Sequence, residues 1–146
     1  MRKLLAAAWP CLAMLAVCDA AELATALVVR DAWVRVTPGS DVAAVYLSLR
    51  NAGLRPIIVV GVQSSIAGHS MMHETSLVNG QFQMRMRDRI VIAPGQTVSF
   101  APGGLHIMLS GLKQRASAGQ TMPLVLLLAD GGQVSLAAVV KPLAAP

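Results

Sequence analysis

The chain has 146 residues, enough for one domain with a substantial core and too few for two ordinary ones. Its formal charge is +5, of which the N-terminal leader supplies one, Arg2 and Lys3 against Asp19. The other basic residues are scattered, and two tryptophans, two phenylalanines and one tyrosine make no stacking set, which excludes nucleic-acid binding and leaves an acidic protein partner as the better use of a mild positive charge.

The opening stretch MRKLLAAAWPCLAMLAVCDAAELA has a basic start, an apolar run from Leu4 to Cys18 and then small residues, the layout of a secretory signal peptide. Its apolar run is shorter than the roughly 20 residues that span a bilayer, and Pro10 interrupts it. The division expected is therefore a signal peptide over 1–20, cleaved near Ala20, a domain over 21–140 and a frayed tail, KPLAAP, over 141–146. The mature protein then has no transmembrane segment and is exported to an oxidising compartment. Lipid attachment at Cys18 is a second reading, weakened by the bulk of Val17 just before it. Both cysteines, Cys11 and Cys18, fall in the leader, so any soft-metal site in the exported domain is built without a thiol, and methionine is the remaining soft ligand.

Beyond the leader, short β-type runs follow in order: TALVVRDAWVRV, AAVYLSLRN, RPIIVVGVQ, SMMHETSLV, QFQMRMRDRIVI, TVSFA, LHIMLSGL, PLVLLLAD and QVSLAAVV. Turn chemistry separates them, in TPGSD, NAG, NG, APGQ, PGG, ASAGQ and DGG. No long segment has helical period and no repeat is present, so the expectation is an all-β domain, a β-sandwich or a Greek-key barrel.

Three of these runs carry the candidate chemistry. Asn79-Gly80 is a strong two-residue hairpin signal; it places His73 opposite Met86 and Thr75 opposite Met84, with Met84 diagonal to His73 on the same face. In LHIMLSGL, His106 and Met108 share one face while Leu105, Ile107 and Leu109 share the other. Hairpin and strand together offer two imidazoles and two thioethers. Thioether sulfur is soft and uncharged; it suits Cu(I) and serves Zn(II), Fe(II) or Mg(II) poorly.

From His73, ten residues intervene before Met84, twenty-one before His106 and one before Met108. With this spacing, and with DAWVRVTPG, AAVYLSLRNAG, NGQFQMR, PGGLHIMLSGLK and DGGQVSL, the chain resembles the PCu(A)C family of periplasmic copper chaperones over nearly all of its mature part. The resemblance implies a cupredoxin-like β-sandwich and Cu(I) as cargo, held by His73, Met84, His106 and Met108. It further implies delivery to the CuA centre of cytochrome c oxidase, with the CuA-bearing subunit as partner beside a thioredoxin-like assembly factor. Such a carrier is a monomer and not an enzyme. Copper buffering or tolerance, and a metal-free sandwich that binds other proteins, are the alternatives. Register favours Met86 as the partner of His73 and family spacing favours Met84; Met84 is the residue carried over, and Phe82 stands where many relatives have a further methionine.

The remaining candidates have plainer readings. Met86 is read as packing beside the site, Met72 as core, Met122 as structural at a strand entrance before Pro123, and Trp33 as a core aromatic. His69 and Met71 alternate with His73 and either extend the site or belong to a loop entering the strand. Glu74 either orients an imidazole or points to solvent, and Arg85, Arg87 and Arg89 form a solvated strand face.

Overall fold

The computed structural model describes residues 15–142. Most of the leader, with Cys11, and the end of the tail lie outside the described residues.

A helix the sequence did not announce comes first, α1 (Leu15–Ala26). Its composition is rich in alanine and leucine, the strongest helix formers, and it ends where Leu27, Val28 and Val29 favour extended chain. In its last turn the Thr25 hydroxyl donates to the carbonyls of Ala21 and Glu22 at 3.1 and 2.9 Å. Leu23, Ala24 and Ala26 pack against the core.

Ten strands follow: β1 (Leu27–Val36), β2 (Ala43–Asn51), β3 (Ile57–Gln63), β4 (Ala67–Val78), β5 (Gln81–Met86), β6 (Ile90–Ile92), β7 (Thr97–Phe100), β8 (Leu105–Leu112), β9 (Thr121–Leu128) and β10 (Gln133–Val140). Every run expected to be a strand contains one. QFQMRMRDRIVI contains two, because the chain leaves the sheet at Arg87 and returns at Ile90. Hydrogen bonds link the strands in the order β5-β4-β8-β2-β1-β10-β9-β3-β6, with β7 also paired to β2. β1 and β10 run parallel; the other pairs are antiparallel.

This path folds over on itself. Val45, Met72, Ile107 and Leu109 from β2, β4 and β8 share one buried core with Ile57, Val59, Ile92, Leu124 and Leu126 from β3, β6 and β9. Met122, read as structural at a strand entrance, is in the core. Asn51, fully buried, fastens one end: its side-chain amide donates to the carbonyls of Arg55 and Ile92 at 2.7 and 2.9 Å and its oxygen accepts from the Gly53 amide at 2.9 Å.

Trp33 departs from its expected place. The pairing of β1 with β2 slips by one residue between Arg30 and Trp33, around Asp31 with φ of 54°. Such a bulge reverses which side chains face inward. Leu27 before it and Val34 after it are both buried, and Trp33 is turned to the outer face opposite Tyr46, half-buried, outside the core.

Candidate metal centre

β4 and β8 pair so that His73 stands opposite His106 and Met71 opposite Met108, while Met72 and Ile107 point the other way into the core. The two rings meet edge to face, with centroids 5.8 Å apart and planes at 78°. Although they lie on the outer face, His73 and His106 are only 9% and 7% exposed. Part of the cover is aromatic: Tyr46 lies 6.5 Å from the His106 ring, and Trp33 lies 4.6 Å from Tyr46. Arg35 and Lys141 sit over Tyr46 and Trp33 at 5.8 and 4.7 Å, so this side of the face is aromatic and capped by cations.

On the other side is the β4–β5 hairpin. Its register is the one the Asn79-Gly80 turn dictates: both turn residues have positive φ, 50° and 76°, His73 pairs with Met86, and Thr75 pairs with Met84. Leu77 and Phe82 continue this face, and with Met84 and Met86 they are exposed, the two methionines at 56% and 60%. The face expected for the site is present, with its imidazoles sunk and its hairpin thioethers at the surface. Glu74 orients neither imidazole: it accepts from Arg87 Nε at 2.8 Å in an ion pair at the hairpin's exposed end. Arg85, Arg87 and Arg89 are all exposed; Arg87 is held by this ion pair, and Arg85 donates to Gln83 Oε1 at 3.2 Å.

The two rings differ in the partners of their Nδ1 atoms. His106 Nδ1 is 3.0 Å from the Gly104 carbonyl. An N–H donated there leaves Nε2 with its lone pair free. His73 Nδ1 is buried and has no hydrogen-bond partner among the described residues, a state that costs about 1–3 kcal/mol unless something binds it. Burial, and then the nearby charge of His106, hold the His73 pKa below its ordinary 6.5, which favours the neutral, ligating form. No group of three or more His, Cys, Asp or Glu able to hold a metal occurs among the described residues; the other soft donors on this face are thioethers.

Of the four residues expected in the site, the structure brings His73, His106 and Met108 into adjacent rows of two paired strands, with Met108 half-buried. Met84 is on the same face one row away, diagonal to His73, and Met86 is in the His73 row itself. His69 lies opposite Ser110 and is exposed. Met71, half-buried and directly across from Met108, is the neighbour that sequence reasoning left open. Its one available signal was the alternation with His73, since the pairing that gives it a partner joins strands more than thirty residues apart. Two cavities of about 450 and 440 Å³ lie away from this face, one beside Gly39 and Arg115 and one beside Ser65 and Pro123.

Known proteins share this fold. Residues 27–140 match the family model described as "Putative lipoprotein LpqE-like". "Putative lipoprotein Lxx21020" of Leifsonia xyli subsp. xyli is 40% identical over 114 residues, which cover 77% of this chain and 68% of that protein. Among solved structures, the Cu(I) form of DR1885 from Deinococcus radiodurans superposes with a TM-score of 0.64 and 32% identity, over 78% of this chain and 76% of that one. The copper-bound PCuAC domain from PmoF2 has the same fold, with a TM-score of 0.67 and 24% identity over 81% of this chain and 94% of the domain. The expected cupredoxin-like sandwich is thus the observed one, and the chain belongs to the LpqE-like family, a family of PCuAC type.

Proposed function

We propose that this protein is an exported Cu(I) carrier, which holds its cargo with His73, Met84, His106 and Met108 and passes it to a copper-using acceptor, the CuA-bearing subunit of cytochrome c oxidase. The observation that carries the reading is the sunken His73–His106 pair, with one buried ring nitrogen left without a partner and thioethers in the neighbouring rows. Two neutral imidazoles and two neutral thioethers leave the bound ion its single charge and offer no thiol to oxidation. The 32% identical Deinococcus protein, solved in a Cu(I) form, supports the choice of metal.

The division between buried and exposed donors suits release. Met84 and Met86 are on an edge hairpin more than half exposed, so an acceptor's ligands can displace a thioether before the imidazoles are uncovered. The word lipoprotein in the names of the family and of the Leifsonia relative supports export, with Cys18 as an attachment point that would keep the carrier at a membrane surface.

An anaerobic Cu(I) titration against a competing chelator tests the site. Wild type is expected to bind one ion, with binding weakened in His106→Ala, Met108→Ala and Met84→Ala. Equal binding by wild type and the His106 and Met108 variants would remove the site, and loss with Met86→Ala but not Met84→Ala would exchange the hairpin ligand. Transfer to an isolated CuA domain, followed by its absorption, separates delivery from buffering: a buffer keeps its copper.

A further inference from the structure

We infer that Met71 is a further Cu(I) ligand, the one that keeps the ion on the protein when the hairpin thioether is displaced. The inference rests on the copper reading above. It arises from the pairing of β4 with β8: on their outer face His73–His106 and Met71–Met108 are successive cross-strand pairs. Directly opposed side chains start about 5 Å apart, and successive pairs on one face are about 7 Å apart along the strands. Four donor side chains therefore rise from the corners of one small rectangle on two adjacent strands of the sheet.

Met84 starts from a different place. It stands on the edge strand β5 opposite Thr75, beyond the histidine row from Met71, and is 56% exposed. Met71 is half-buried, and its unbranched thioether side chain adapts its position readily. His73, His106 and Met108 are then common to two arrangements, an outer one completed by Met84 and an inner one completed by Met71. An acceptor that takes the place of Met84 meets an ion still held by two imidazoles and two thioethers.

Met84→Leu and the double variant Met71→Leu/Met84→Leu test this, since Met-to-Leu exchange conserves volume and removes only the sulfur. Each full chain is titrated anaerobically with Cu(I) against a chelator, and the sulfur neighbours of bound copper are counted by X-ray absorption. Circular dichroism confirms that the variants are folded. Met84→Leu is expected to keep two sulfur neighbours. The double variant is expected to keep one and to bind at least about tenfold more weakly, the lower end of what even an outer contact contributes to metal affinity. Equal affinity and equal sulfur count in the single and double variants would overturn the role of Met71 while leaving the copper site standing. Absence of Cu(I) binding in wild type would overturn both.

Discussion

His73 and His106 face each other across β4 and β8 with ring centroids 5.8 Å apart, and each is nearly closed off from solvent. Two imidazoles so placed, one with its Nδ1 at the Gly104 carbonyl and one with its Nδ1 unpartnered, are a poor use of buried surface for stability alone. They become economical when a soft cation joins them to the neighbouring thioethers.

Binding and stability should separate by face. Ile107 is fully buried between His106 and Met108, so Ile107→Ala is expected to cost about 2–5 kcal/mol in urea unfolding of the metal-free chain. Met84 is exposed, and Met84→Leu is expected to change that stability by no more than about 0.5 kcal/mol. A large stability loss in Met84→Leu would show that this methionine holds the fold.

Metal-free stability should also fall with acid through His73. Burial, and then the charge of His106, lower its pKa in the folded chain below the ordinary 6.5, so the unfolded chain binds the proton more readily. Stability from this source is complete above 6.5, declines as the pH falls through that value and levels off below the folded pKa. Urea unfolding at about pH 7.5 and about pH 5.5 should show the lower midpoint at acid pH, with a smaller difference in His73→Gln. An equal difference in the variant would assign the acid sensitivity to other groups.

The bulge at Asp31 makes a third prediction. With φ at 54°, Asp31 occupies the left-handed region, which glycine accepts and β-branched residues resist. Asp31→Gly should fold with little change in urea midpoint, whereas Asp31→Val should lose about 1–2 kcal/mol. Because the residue is exposed, the contrast reads backbone conformation and not packing. Equal stability of the two variants would mean that the bulge relaxes without cost.

The same bulge shows why some of this structure was legible in the sequence and some was not. Alternation and turn residues marked the strands, and a two-residue Asn-Gly turn fixes its own register, so the faces of His73, Met84 and Met86 followed from the sequence. One extra residue at Asp31 reverses the parity of a strand without altering its composition, and Trp33, expected in the core for its aromatic volume, is turned to the other face. The pairing of β4 with β8 joins distant segments that no turn connects, which left the position opposite Met108 without a partner until the fold supplied Met71. Helix α1 was missed because its alanine-rich segment reads equally as the end of a leader and the start of a strand.

The most direct test of the central claim is the X-ray absorption spectrum of the protein loaded anaerobically with one equivalent of Cu(I), recorded for wild type and for His106→Ala. The account predicts nitrogen and sulfur neighbours together in wild type, two of each, and loss of a nitrogen neighbour in the variant. A wild-type spectrum without sulfur, or one that the loss of His106 leaves unchanged, would contradict it.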